Sequence, residues 1–340
     1  TPGNQEFAST ARVVEVKPVV DRHESASVNV NAAGSESGRQ SGTGTGRKPT
    51  IWETLTNEKN FKWTLVVPLL VLLVIFAFYP LFYSMYFSFH DWGMQGSPVF
   101  SGLKNYRQLV NDSTFWAAFG RTIEVLVICI VVELLLGLGV ALLWNREFRG
   151  QNIVRGLALL PLLVAPLTLS LLWYFLLDYN FGAVNQILSA LGFDKVYWWA
   201  PNKALFTICF ITIWQWFPFS AFVLLAGLKS LPKDVFEAAR VDGASSAYTF
   251  RRLTLPMLSP LIMIIIVLRA MWLIRLMDPL FGTTRGAVNT ELLDWIVYRT
   301  GFVMFDIGYG SAMAVVSWAA TMVLCLLMFR QLMKSMAAGR

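Results

Sequence analysis

The residues most able to do chemistry in this chain are ionisable side chains stranded inside apolar runs. Glu133 sits in VICIVVELLLGLGV, and Arg269, Arg275 and Asp278 lie along one run ending in MWLIRLMDPLFG. A charge at membrane depth is costly, so each is a functional candidate by default. Glu133 reads either as a hydrogen-bonding group within the assembly or as part of a solute pathway. Arg275 and Asp278 are three residues apart, so on a continuous helix they share a face and form a local ion pair. The other reading has that face offering polar contacts to a solute. Arg121 and Glu124 pair by the same spacing. A further run, WQWFPF, places Trp214, Gln215 and Phe219 together. Aromatic faces against C–H surfaces and an amide at hydroxyls are how sugars are held, although packing alone also explains the rings. Gln215 is the least easily explained by lipid contact, because its amide requires partners.

No covalent chemistry is expected. The two histidines, His23 and His90, have no metal-ligand spacing around them. Cys129, Cys209 and Cys325 all fall in apolar runs and read as small buried hydrophobes. No catalytic or metal residues are assigned.

The elements that must hold these charges are membrane helices. Of 340 residues, 56% are hydrophobic and 14% charged, against about 25% charged in soluble domains. Six long apolar runs occupy about 63–87, 119–144, 157–177, 205–228, 257–281 and 311–329. Each is near the ~20 residues that cross a bilayer. Pro68, Pro161, Pro166 and Pro218 predict kinks and not breaks. The net charge of +7 does not point to nucleic acid, because Lys and Arg gather at run ends and not on one polar face. They favour the side carrying Arg146, Arg149, Arg155, Lys229, Lys233, Arg240, Arg251 and Arg252, which predicts that side, and both termini, to be cytoplasmic. Residues 1–50, rich in Gly, Ser and Thr, predict a disordered tail ahead of a six-span domain over 51–340. Gly182–Gly192 predicts a short amphipathic helix in an outer connection, and Gly137, Gly139 and Ala141 a small-residue face for helix contact.

Between runs four and five lies SLPKDVFEAARVDGASSAYTFRRLTLPML. Ser230 is a plausible N-cap with Pro232 in the first turn. Gly243 falls where a helix ends in a left-handed residue, and Ser245 or Ser246 is placed to cap a second short helix. The pattern predicts helix, Gly turn, helix over 229–256. The Ala pair permits close approach to a groove on another protein; a solvated linker is the alternative.

EAARVDGAS followed by TLP resembles the EAA signature of permease subunits of binding-protein-dependent ABC importers. Glu237, Ala238, Ala239, Gly243, Leu255 and Pro256 fill its positions, with Asp242 beside the Gly. Similarity to the carbohydrate-uptake type (maltose and glycerol-phosphate permeases) extends over about 63–330. It is carried by YPLFYSMYFSFHDW, LLWNREFRGQNIVRGLALLPLLVAP, GAVNQIL, AGLKSLP, MDPLFG and FDIGYGSAMAV. TTRGAVNTELL departs from the family, which carries a Gly-Pro loop there. The resemblance implies an all-α integral membrane fold of the type I ABC importer permease kind, with six spans and a cytoplasmic coupling helix. It also implies a multi-pass place in the bacterial inner membrane and a role as half of an alternating-access pathway for a sugar, sugar alcohol or polyol. The implied partners are cytoplasmic ATPase subunits, a second permease subunit completing a heterodimer, an extracytoplasmic solute-binding protein and membrane lipid. ATP and Mg belong to the ATPase, since no G-x-x-x-x-G-K-[ST] occurs in this chain. The rival class is an ion-coupled secondary transporter using Glu133, Arg275 and Asp278 as a relay.

Overall fold

The computed structural model describes residues 58–338, so the expected tail over 1–50 lies outside the described residues. Helix α1 (Glu58–Leu73) continues through a π-turn at Val74–Phe78 into α2 (Tyr79–Phe87). Next come a two-stranded antiparallel hairpin, β1 (His90–Asp91) and β2 (Val99–Phe100), and α3 (Lys104–Val110). Helices α4 (Ser113–Trp144), α5 (Gln151–Leu163), α6 (Pro166–Leu176), α7 (Ala183–Ala190) and α8 (Ala204–Ser230) follow. The intervening segment gives α9 (Lys233–Val241) and α10 (Ser246–Thr249), then a π-turn at Phe250–Thr254 leading into α11 (Leu255–Leu273). The chain ends with α12 (Asp278–Gly282), α13 (Leu293–Tyr298), a π-turn at Arg299–Val303, and α14 (Ile307–Ala338).

Among the described residues five helices are long and apolar enough to cross a membrane, and the bent pair α5–α6 makes six if it is one span. The expected kink there is a break: the two helices meet at 99°. Pro161 stays inside α5, but Pro166 opens α6 and forces the preceding Ala165 into an extended conformation, as does Val164 before it. The freed carbonyls are met from another helix: Gln215 Nε2 on α8 donates to Val164 O at 3.0 Å and to Pro161 O at 3.4 Å. Such a break is tolerated at membrane depth because a neighbour satisfies the backbone.

Helix α8 is the hub. Along α8 the share of buried residues in its apolar window is 61%, against none in the span Val66–Phe87. Its main partner is α4, and the contact is close because Gly137 has no side chain. A Cβ there would lie 2.7 Å from Ser220 Cβ. Ala141, one turn on, is fully buried in the same seam, against Ala221 and Leu224. Gly139 points into open space and takes no part in the face expected of it. Cys129 and Cys209 are buried in the seam between α4 and α8 as expected, while Cys325 is half-buried.

The end of the bundle away from α9 is tied by polar contacts. Asp112 caps α4, accepting from the amides of Thr114 at 2.8 Å and Phe115 at 3.3 Å, and also accepts from the Tyr309 hydroxyl at 2.6 Å. Asn105 Nδ2 donates to the carbonyls of Ser88 and His90 at 3.0 and 2.9 Å. Gly308 allows α14 to start against β1, since a Cβ there would be 2.1 Å from His90 O. Arg121 does not pair with Glu124: its Nε donates to Glu291 O at 2.9 Å, and Glu291 also pairs with Arg299.

Candidate functional site

Two candidate surfaces emerge, one at each end of α11. The first is the segment between α8 and α11. Ser230 is not its cap: it closes α8, and Pro232 occupies the N-cap of α9. The missing N–H of Pro232 costs nothing at that position. At the other end Gly243 adopts φ +75°. Its amide bonds to Arg240 O at 3.1 Å, and the next amide, of Ala244, reaches back to Ala239 O at 2.9 Å. That double bond pattern is the Schellman closure that needs a left-handed residue. Ser245 then caps α10, accepting from the Tyr248 amide at 3.3 Å. The helix–turn–helix expectation therefore holds in its Gly and Ser positions.

Nothing in the described chain covers this element. Ala238, Ala239, Asp242 and Gly243 line an open cleft of 820 Å³ with Val235, Tyr248 and Leu253. Val241 is 88% exposed and Tyr248 57%; Glu237 also faces outward. Exposed apolar side chains lie here beside uncommitted carboxylates, on a helix closed at its end by the Gly243 turn, a combination suited to contact with another protein. Leu255 and Pro256 stand apart from the cleft, at the first turn of α11, where Pro256 needs no donor. The π-turn at Phe250–Thr254 joins the two directly.

The second surface lies where α8 meets the far end of α11. A small hollow of 50 Å³, room for only a few waters, is bounded by Gln215, Trp216, Arg269, Trp272, Arg275 and Asp278. Of the pathway candidates, Gln215, Arg275 and Asp278 come together here. Trp214 turns away to pack edge-on against Trp173, at 5.4 Å between ring centres. Phe219 packs with the α4–α8 seam. Glu133 stands behind the hollow, fully buried, and is engaged bidentately by Arg269, Nε to Oε2 at 2.6 Å and Nη2 to Oε1 at 2.7 Å. The structural role is thus the one the geometry gives to Glu133.

The pairing of Arg269 with Glu133, and the contact of Trp216 with Trp272, are what sequence reasoning missed. The Arg269 guanidinium lies 4.5 Å over the Trp216 ring, and Trp216 packs against Trp272 at 5.6 Å. The available signal was charge balance: a buried Glu in one apolar run requires a cation, and Arg269 was the one deep in another.

Arg275 does not pair with Asp278. Helix α11 ends at Leu273 and α12 starts at Asp278, so the two do not share a helical face. Arg275 instead reaches Asp294 on α13 at 3.6 Å, with most of its side chain exposed. Burial pushes the Asp294 carboxyl above its ordinary range, against the pull of Arg275. Asp278 is exposed at the hollow's edge with no partner among the described residues. The hollow therefore offers two indole faces, one exposed guanidinium and one free carboxylate.

The comparisons with known proteins agree with this architecture. The signature of the family described as "Binding-protein-dependent transport system inner membrane component" matches residues 133–332. A probable ABC transporter permease protein of Sinorhizobium fredii is 36% identical over 257 residues, 74% of this chain and 82% of that protein. The trehalose/maltose transport system permease protein of Thermococcus litoralis is 31% identical over 268 residues, 77% of this chain and 90% of that one. The sulfoquinovosyl glycerol transport system permease protein of Agrobacterium fabrum is 34% identical over 263 residues, covering 76% and 85%. Among solved structures, a chain of a bacterial alginate ABC transporter, crystallised in complex with an alginate pentasaccharide-bound periplasmic protein, superposes with a TM-score of 0.70. It is 20% identical, over 82% of this chain and 95% of that one, which speaks to the fold. A helical membrane bundle, an uncovered helix–turn–helix between two spans and a matching signature over more than half the sequence together place the chain: it belongs to the binding-protein-dependent transport system inner membrane components, the permease subunits of ABC transporters.

Proposed function

We propose that this chain forms half of the translocation pathway of an ATP-driven importer for a sugar, sugar alcohol or related polyol. The observation that carries the ATP-driven part is the uncovered α9–Gly243–α10 element. It is rigid, capped at its Gly and Ser positions, and continuous through the π-turn with α11. An ATPase subunit docking on Glu237, Ala238, Ala239 and Asp242 would move α11 as a lever through Leu255 and Pro256. ATP and Mg belong to that partner. The docking side is cytoplasmic, as are both termini.

The solute class draws on the relatives, whose names include trehalose/maltose and sulfoquinovosyl glycerol carriers. Trp216 and Trp272 with Asp278 and Arg275 supply the ring faces and charged hydrogen-bonding groups that hydroxylated solutes need. At 50 Å³ the hollow is only one wall, so the solute lies between it and a second permease subunit, delivered by an extracytoplasmic binding protein. The ion-coupled alternative loses its relay: Glu133 is committed to Arg269, and Arg275 reaches Asp294.

The test is purification of the chain from its membrane with its stoichiometric partners, followed by reconstitution in liposomes. Recovery of an ATPase and a second permease, and uptake of a labelled sugar only with ATP and a binding protein, is the expected result. Uptake by the chain alone, driven by an ion gradient without ATP, would overturn the reading.

A further inference from the structure

Between α6 and α8 runs a cleft of 510 Å³ that belongs to neither candidate surface. It is lined by Phe206 and Phe210 on α8, both about half exposed, with Trp173 on α6, and by Lys203 and Trp198. Lys203 immediately precedes α8, at the end of the bundle opposite α9. From there to Phe210 the helix descends about 10 Å. The cleft thus opens at the membrane boundary and reaches into the hydrocarbon layer.

One accessible polar group at it is uncommitted. The Lys203 ammonium has no partner among the described residues. The indole N–H groups of Trp173 and Trp198 are buried and unpaired. Thr207, by contrast, is satisfied, donating to the carbonyls of Trp198 and Lys203 at 3.1 Å each. A sugar does not suit such a site, because most of its hydroxyls would meet aromatic walls without partners. A molecule with an anionic head and an apolar chain beyond it does suit it.

We propose that this cleft seats an anionic glycerophospholipid. Its phosphate rests on Lys203, and one acyl chain lies along Phe206 and Phe210. The lipid would brace α6 against α8 just beyond the 99° break, where the spanning backbone is discontinuous.

The full chain, in phosphatidylcholine nanodiscs doped with photoreactive phosphatidylglycerol or photoreactive phosphatidylcholine, would be illuminated and its adducts mapped by peptide mass spectrometry. The phosphatidylglycerol probe is expected to label the 198–210 segment about fivefold more than the phosphatidylcholine probe, the increment of one cation at a membrane surface. Lys203→Gln should bring the two probes level, while Lys195→Gln, which removes a charge from the same connection outside the cleft, should not. The phosphatidylcholine adducts serve as the measure that each variant is folded. Equal labelling by both lipids in the unaltered chain, or a preference that survives Lys203→Gln, overturns the proposal.

Discussion

Arg269 and Glu133, 136 residues apart in sequence, meet through two parallel hydrogen bonds of 2.6 and 2.7 Å at the centre of the bundle. Both side chains are almost wholly out of contact with solvent. Each ion would be untenable without the other, since desolvation is offset only by the bidentate geometry. Breaking one side is therefore worse than removing both. Arg269→Met is expected to destabilise the chain by about 3–5 kcal/mol, read as lost yield and a lower detergent melting temperature. Glu133→Leu combined with Arg269→Met should recover most of that loss. A double variant no better than Arg269→Met alone would show that Trp216, stacked on the guanidinium, carries the effect.

Gln215 shows how a polar residue in an aromatic run can be structural. Its amide donates to the two carbonyls released at the α5–α6 break. Gln215→Leu leaves the Val164 carbonyl unpaired in an apolar setting, at about 1–3 kcal/mol, while Pro161 O keeps the Val164 amide. The expected signature is a lowered melting temperature with the transport KM unchanged for molecules that remain folded. A raised KM at unchanged stability would return Gln215 to the solute pathway.

These two contacts mark the limit of what the sequence discloses. The apolar runs were legible because span length and composition are local properties. The turn at Gly243 and the cap at Ser245 were legible because φ > 0 and N-capping select particular residue types. The sequence puts the N-cap of α9 at Ser230, whereas it is Pro232 and the helix starts at Lys233, because both Ser and Pro are good helix openers. Whether Pro166 kinks or breaks a span depends on Gln215, a donor on another helix 51 residues from the Val164 carbonyl it meets, which no local rule contains. The pairing of Arg275 failed similarly: i, i+3 spacing has meaning only inside one helix, and α11 stops two residues short of it. At the segment between α8 and α11, Ala238, Ala239, Asp242 and Gly243 gather on one exposed surface while Leu255 and Pro256 stand apart from it; along the pathway half of the candidates turn elsewhere, because side-chain facing in an all-apolar helix carries no periodic signal.

Asp112 gives a pH dependence with a definite sign. Burial alone would raise its carboxyl, but the Tyr309 hydroxyl and the amides of Phe115 and Thr114 outweigh it and hold it below the usual carboxylate range. A depressed carboxylate contributes stability that is complete above its unfolded pKa and lost as pH falls through the folded one. Asp112→Ala should cost about 1 kcal/mol at neutral pH through the lost cap. The difference from the unaltered chain should be constant from pH 7 to 5 and narrow below about pH 4. Melting temperatures across that range check it; a gap that closes already at pH 6 would assign the effect to another group.

Gly243 separates docking from folding. Its Cβ position is open, so substitution there tests backbone conformation and not packing. At φ +75° a β-branched residue is strained by roughly 1–3 kcal/mol, whereas Asn tolerates the left-handed region. Gly243→Val is expected to unwind the end of α9 and abolish co-purification of an ATPase, with the membrane helices and melting temperature little changed. Gly243→Asn should retain the partner. Because α9 buries none of its residues in the bundle, its unwinding should leave a folded but uncoupled permease. Limited proteolysis would then show cleavage confined to 233–250 in Gly243→Val. Retention of the ATPase at normal stoichiometry in that variant would instead mean that the docking surface does not depend on the Gly turn.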